Sequence, residues 1–530
     1  MKKYLQTIKE NETIHICLIG AAIIIYATLF SYLSIAEHQE LKSNMNDLGG
    51  FDQAMYETLH GNFMRNSSFF ASEGTTNPSL LSKHSFYTQI LFVPIYYFYQ
   101  NPNIFLIFQA LVVGLGALPL YWLGKLFFKN NILTLLIPFT YLLNPMVHDI
   151  TLFDYHPIAI AMPIFMFAFY YLNTKSYGKF YLLAFLLALT KEDLSLTVAM
   201  FGIYMLAVQK EKLRGFIVFI LSILFFFVNQ KVLLPAFIGS ETYVLITVRY
   251  SHLGTSGIEI VKTLLTKPWL LITYSISTLK VVYLTVLLIP VAFLPLISPT
   301  ILALGIPALL INLLSLEPSM HSPFEQYYPA TVIPFIYLAS VYSLKKINST
   351  GSTQTVQLIT HAIIIFSFSL FVALSPTPFS LSSSWNEFSI SQHARDINKL
   401  KALISADASL TIQNNLGPHF SQRENIYVFP YKSHESDFVL VDLYNPNPIK
   451  RSFRGLRTFR ANISYLNFET IYFPFIESLF TDPNYKVIYF TNDGYLLFSK
   501  TSDNNTSLND NAYLMYQKLS EEIIIPKNNQ

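Results

Sequence analysis

About eleven apolar runs, most of them near the length that crosses a lipid bilayer, constrain this chain more than any other feature. The hydrocarbon core takes roughly 20 apolar residues per helix. The first run, 14–36, follows Lys2, Lys3 and Lys9. It is too long, and too poor in a small-residue cleavage site, for a signal peptide, and so predicts an uncleaved span with a cytoplasmic N-terminus. Further runs fall at 104–124, 132–148, 157–173, 177–190, 194–209, 213–230, 281–297, 299–316, 327–344 and 357–375. The expected fold is mainly α, a polytopic helical membrane protein. Composition agrees: of 530 residues 52% are hydrophobic and 13% charged, against roughly 25% charged in a soluble globular chain. That excludes a conventional cytosolic enzyme, a disordered chain and a nucleic-acid binder with a basic face. A formal net charge of +3 is too balanced to name a partner. The single cysteine, Cys17, excludes a disulfide framework or a thiolate metal site.

Basic residues collect on the cytoplasmic side of a membrane protein. Lys125 and Lys129, Lys175 and Lys179, then Lys210, Lys212 and Arg214, and finally Lys345 and Lys346 fall on alternate loops. The loop near 298 has no basic residue and is silent; the remaining loops, acidic or mixed, and everything after 376 are then expected to face outward across a plasma membrane. This parity requires 86–99 to be interfacial or re-entrant; if it spans, every later loop changes side. The pair 177–190 and 194–209 is short for spans, with Lys191-Glu192-Asp193 between.

The chain changes character at Pro376-Thr377-Pro378. Residues 1–376 read as the transmembrane domain, with a first outer loop at 37–103, and 377–530 as a small extracytoplasmic α/β domain. Strand-like stretches occur within 401–430 and 436–444. In 485–500, Asn492-Asp493-Gly494 separates two alternating strands, the signature of a two-residue hairpin turn. The segment 468–480 reads as a helix, and the polar tail from about 501 as mobile.

Charge inside a bilayer costs about 2.5–3.5 kcal/mol per group on insertion scales, so acids at span ends call for a reason. Asp47, Gly49, Gly50, Asp52, Gln53 and Tyr56 follow the first span, with Asp52, Tyr56 and His60 at four-residue steps on one helix face. Asp47 and the glycines would precede that helix as its start. Lys83-His84, then Asp149 with Asp154 and His156, then Lys191-Glu192-Asp193, then Glu317, His321, Glu325, Tyr327 and Tyr328 complete the outward set. Taken singly, each has a plainer reading: Asp47 a helix cap, Asp52 a solvated loop acid, the histidines loop residues. Asp154 with His156 is also a minimal metal pair. Their convergence on one face suits chemistry there. An acid can deprotonate an incoming hydroxyl, or hold a divalent cation such as Mg or Mn against a phosphate leaving group. Asp52, Asp154 and His156 are the metal candidates, and Lys83, Lys191, Lys231, Arg249 or His252 could bind the phosphate. Proton-coupled transport competes, although these acids lie mainly in loops and no inverted-repeat symmetry is visible.

In order along the chain, these residues resemble a family of bacterial and archaeal integral membrane proteins of unknown function, placed near the GT-C class of polytopic glycosyltransferases. The shared pattern is Asp47, Gly49, Asp52 and Gln53; His84; Asp154 and His156; Glu192 and Asp193; and His321 with Tyr328 and Pro334. The stretch 412–430 and the later DFVLVDLY resemble that family's C-terminal domain. The likeness covers nearly the whole chain. In GT-C enzymes an Asp-Glu-Ala-x-Tyr-like string carries the reactive acid; here it is Asp52-Gln53-Ala54-Met55-Tyr56, with Gln for the second acid. His84-Ser85-Phe86 keeps the histidine of a His-Pro-Pro-Leu-like string without its prolines. The resemblance implies a GT-C-like fold and a polyprenyl-phosphate-linked sugar donor that enters from the lipid, with an acceptor in the cell envelope. It implies Asp52 as base or metal anchor, then Asp47. Tyr56, His84, Asp154, His156, Lys191, Glu192, Asp193, Arg249, His321 and Tyr328 are the expected substrate-binding residues. A flippase of lipid-linked sugars and a non-catalytic envelope-binding protein are the alternatives.

Overall fold

A long apolar run that cannot hydrogen-bond to water closes its backbone on itself as helix. The computed structural model describes residues 2–68, 78–238, 248–444, 468–500 and 506–524. Among these, four helices are long and apolar enough to cross a membrane: Thr13–Gln39, Asn103–Phe127, Lys212–Ile238 and Thr353–Leu374. A fifth would be Trp269–Ser275 with Thr278–Val291, bent by 84°. Ile132–Leu142, Pro157–Asn173, Tyr177–Thr190, Leu194–Gln209 and Pro299–Leu314 are apolar but shorter. The run 132–148 breaks at Asn144, whose side chain caps a second helix, Pro145–Leu152. The run at 327–344 becomes helical later, as Ile333–Thr350, because Tyr328–Thr331 forms a 3₁₀ turn first. The segment 86–99 is a 3₁₀ turn, Tyr87–Phe92, and a six-residue helix, Val93–Phe98. The helices Gly257–Thr266 and Trp269–Ser275 have no counterpart among the expected spans. They are short and expose Ile258, Leu265, Trp269 and Ile272.

The chain divides into two compact units. A membrane unit takes Met1–Ser34, His84–Leu91 and Phe105–Ser384; a sheet unit takes Ile35–Lys83, Phe92–Ile104 and Trp385–Gln530. In the membrane unit, Gln109 fixes the turn that carries Asp154 and His156. Its Nε2 donates to the carbonyls of Thr151 (3.1 Å) and Asp154 (2.8 Å), and its Oε1 accepts the His156 N–H (2.8 Å).

The sheet unit is built on strands β1 (Leu410–Ile412), β2 (Ile426–Val428), β3 (Phe438–Asp442), β4 (Tyr485–Phe490) and β5 (Tyr495–Lys500), in the order β2-β1-β3-β5-β4. β1 pairs parallel with β2 and β3; β5 pairs antiparallel with β3 and β4. Alternation divides the side chains between two faces. Leu410, Ile412, Leu440, Tyr495 and Leu497 pack against Ala394, Ile397 and Leu400 of the helix Gln392–Leu403, and against Leu41 and Met45 from the first loop. Val439, Val441, Val487, Leu496 and Phe498 pack on the other face against Phe473, Ile476 and Leu479, and against Ala512, Met515 and Tyr516. The first loop thus belongs with the C-terminal segment, as part of its core.

Three expectations for this region are corrected. Residues 506–524 of the supposedly mobile tail form a helix, because Ala512, Met515, Tyr516 and Leu519 recur at helical spacing and cover one sheet face. Strand character within 401–430 shrinks to β1 and β2, since 401–403 completes a helix. The 485–500 hairpin turns through four residues, 491–494, and only Gly494 adopts positive φ (+133°). A Cβ at Gly494 would run into the Tyr444 backbone, and the Gly494 carbonyl accepts the Leu443 N–H (3.0 Å).

Asp493 of that turn has a second task. His393 lies between Asp493 (Nδ1 to Oδ2, 2.9 Å) and the fully buried Asp442 (Nε2 to Oδ2, 3.0 Å), stacked on the ring of Tyr495. Burial opposes a charge on His393, but the two carboxylates outweigh it and hold the imidazole above its ordinary 6.5. A histidine shifted upward lends stability that is complete below pH 6.5 and lost as pH rises through its folded value. Amide-exchange protection of 485–500 in the full chain should therefore fall on the alkaline side of 6.5. His393→Gln should remove that dependence and cost about 3 kcal/mol by leaving Asp442 buried without its partner. Equal protection in both proteins across this range would contradict the assignment.

Candidate functional site

Asp52 sits in the sheet unit at the wall of a cavity of about 660 Å³. Helical backbone begins at Met45, so Asp47, Gly49 and Gly50 lie within the turn rather than ahead of it, as the start-signal reading had them. The glycine at 49 is needed for close approach: a Cβ there would meet Met45 Sδ at 2.6 Å and Pro418 Cα at 3.2 Å. This closeness lets the Gly417–His419 turn pack on the Met45–Gly49 turn that leads into the helix Gly50–Leu59. The Asp52 side chain then has no exposed surface. Tyr96 Oη donates to its Oδ1 and Ser421 Oγ to its Oδ2, each at 2.6 Å. Gln422 Nε2 donates to Tyr96 Oη (3.1 Å), which orders the donor. Burial pushes the Asp52 carboxyl up to about 6, and the hydroxyls of Ser421 and Tyr96 keep it from rising further. Each carboxylate oxygen retains a lone pair for another donor.

Gln53, at the position of a second acid in the resemblance, is committed elsewhere. Its Nε2 donates to Ser67 Oγ and to the Arg423 carbonyl (both 2.9 Å), and its Oε1 accepts the Ser67 N–H (3.1 Å). An amide can donate and accept at once, so it ties Ser67 to the β1–β2 connection that holds Ser421; a carboxylate could not. Asp47 and Tyr56 are half-buried, and neither lines the cavity. The Tyr56 and His60 rings meet at a tilt of 32°, their centroids 4.1 Å apart, as the four-residue spacing predicted.

The remaining candidates lie in the membrane unit. His84 and Glu192 meet across 108 residues of chain: His84 Nδ1 lies 2.7 Å from Glu192 Oε1, and the Ser85 N–H donates to Oε2 (3.2 Å). Burial pushes the His84 imidazole down towards its neutral form. A carboxylate only accepts, so Nδ1 carries the proton. Burial also opposes the charge on Glu192, but His84 and Lys191 outweigh it and hold the carboxyl below its usual range. Lys191 Nζ pairs with Asp193 Oδ1 (3.1 Å), and Arg249 Nη2 donates to Tyr328 Oη (3.0 Å). His84, Lys191, Glu192, Asp193 and Arg249 all line a second cavity of about 320 Å³. The rest of its wall is largely apolar, including Leu196, Phe226, Ile260, Leu264, Leu310 and Leu314.

Asp154, His156, His321 and Tyr328 are buried in this unit without lining that cavity. His156 caps the helix Pro157–Asn173, its Nδ1 accepting the Ile158 N–H (3.4 Å), and its ring stacks on Tyr327 at 3.4 Å. His321 Nδ1 faces the Asn312 carbonyl (3.2 Å). Among the described residues, no three carboxylate, imidazole or thiolate groups gather as a metal-binding set. Asp52 accepts a hydroxyl hydrogen bond on each carboxylate oxygen.

Sequence reasoning missed Tyr96, Ser421, Gln422 and the charged flank of the helix Gln392–Leu403. Tyr96 lay in a stretch read only as interfacial. Ser421 lay in one quoted for its resemblance, and no spacing links either to Asp52.

No curated protein matches the chain. Among solved structures it is similar to ArnT from Cupriavidus metallidurans bound to undecaprenyl phosphate, with a TM-score of 0.49 and 8% identity over 92% of this chain and 98% of that one. It is also similar to the oligosaccharyltransferase of Archaeoglobus fulgidus tethered with an acceptor peptide. There the TM-score is 0.44 and the identity 12%, over 91% of this chain and 74% of that one. A family model described as "Predicted membrane protein (DUF2079)" matches residues 37–469. This stretch takes in the first loop, the apolar helices from Asn103 to Leu374 and strands β1–β3, and the chain belongs to that family.

Proposed function

We propose that the protein transfers a sugar from a polyprenyl-phosphate-linked donor to an acceptor hydroxyl at the outer face of the plasma membrane. The observation that carries this reading is Asp52: a carboxylate excluded from water, poised near 6 and held by two hydroxyls at the wall of a polar cavity. A base titrating near working pH is ionised often enough to act and basic enough to take a proton. The membrane-unit cavity supports the donor class. Its apolar wall suits an isoprenoid chain, and Arg249 and Lys191 lie where a phosphate would need charge-assisted hydrogen bonds. In the step itself, the acceptor hydroxyl gives its proton to Asp52 as its oxygen attacks the anomeric carbon. The bond from that carbon to the phosphate oxygen breaks, and its electron pair leaves with the polyprenyl phosphate. The displacement inverts the anomeric centre.

Proteoliposomes loaded with radiolabelled polyprenyl-phosphate sugar and an envelope extract provide the assay. Asp52→Asn should lower label transfer by about 10²–10⁴-fold while the protein still inserts and retains the donor. Full transfer by that variant would remove Asp52 from the mechanism, and unchanged donor crossing the vesicle wall would favour a flippase. Because the ionised carboxylate is the active form, the rate should fall as pH drops through about 6. Ser421→Ala removes a hydrogen bond that favours ionisation, so the acid limb should move to higher pH. Arg249→Gln should weaken donor retention by about tenfold or more, the loss of one hydrogen bond to a charged group. An unaltered affinity would take the phosphate away from Arg249.

A further inference from the structure

The cavity beside Asp52 is lopsided in charge. Among its described lining residues Asp52 is the one acid, against Arg395, Lys401 and Arg423. Arg423 is already used: its guanidinium donates to the carbonyls of Phe420 (3.0 Å) and Ala408 (3.0 Å), and it is buried. Arg395 and Lys401 differ. Both stand on the helix Gln392–Leu403 with Asn398 between them, at three-residue steps along one flank, while Ala394, Ile397 and Leu400 anchor the helix to the sheet. Lys399, on another side of this helix, pairs with Asp396 at 3.1 Å. Among the described residues no carboxylate lies within ion-pair distance of Arg395 or Lys401. Lys401 is open to the cavity, yet the surrounding protein withholds enough water to push its ammonium down. The cavity also presents the amides of Gln39, Asn101, Asn398 and Gln422, groups that donate to and accept from hydroxyls.

We propose that this cavity binds an acceptor that is both polyhydroxylated and anionic, with its carboxylate or phosphate held by Arg395 and Lys401 and one hydroxyl presented to Asp52. The proposal rests on the reading of Asp52 as the base. Two cations on a helix anchored by the sheet form a preset anion clamp, and the amides and Asp52 distinguish a sugar from a simple salt. The cavity volume is in the range of small-molecule sites, enough for one or two sugar rings.

Full-length protein in lipid nanodiscs, with Cys17→Ser and Asn398→Cys, tests this without any transfer reaction. An anionic thiosulfonate reagent should modify the new thiol about tenfold or more faster than a cationic one, after correction for their rates with a free thiol. Arg395→Gln with Lys401→Gln should abolish that preference. Glucuronate or glucose 6-phosphate should slow the labelling at concentrations where glucose does not; which of the two acts tells carboxylate from phosphate. Should Asn398→Cys fail to insert, Ala406→Cys on the same wall replaces it. Equal rates for the two reagents, or equal protection by glucose, would overturn the proposal. Charge preference and acid-sugar protection in a protein whose transfer does not depend on Asp52 would keep the ligand class and remove the base.

Discussion

Asp52 keeps a usable charge because two hydroxyls, from Tyr96 at 44 and Ser421 at 369 residues' distance, share its burial. An isolated carboxylate without water would simply stay protonated. With both donors in place it titrates near 6. The rest of the sheet unit serves to deliver those donors: Met45 and Leu41 sit in the sheet core, Gly49 admits the Pro418 turn, and Gln53 holds the connection that follows Ser421.

The membrane unit solves a different electrostatic problem. Glu192 is buried, and His84, Lys191 and a backbone amide hold its carboxyl below the usual range. Breaking such a cluster leaves a stranded charge, which makes it a rigid element beside an otherwise apolar cavity. Arg249 donates to the Tyr328 phenol from the wall of the same cavity.

The glutamine at position 53 illustrates how a sequence departure should be read. Beside a GT-C-like string it is a missing acid, and it weakens the expectation of a metal. In the structure it is a hydrogen-bonding hub whose donor and acceptor are both in use. Its chemistry supports a base assisted by hydroxyls, without a second carboxylate.

Much of this was legible from residue order alone. Apolar runs become helices because lipid leaves their backbones no other partner, so the helical membrane character and the short Lys191–Asp193 turn could be read directly; of about eleven expected spans, four helices, or five with the bent pair, are long enough to cross among the described residues. Family membership was legible from short polar strings taken in order along the chain, and the family model matches residues 37–469. Tertiary structure alone decided which of the polar residues meet. Hydrogen bonds between segments hundreds of residues apart leave no periodic trace. Asp52 with Ser421, His84 with Glu192 and His393 with two aspartates were therefore invisible until the chain was folded. The same reason turned the polar tail into a helix, since its weak apolar stripe acquires meaning only against the sheet face it covers.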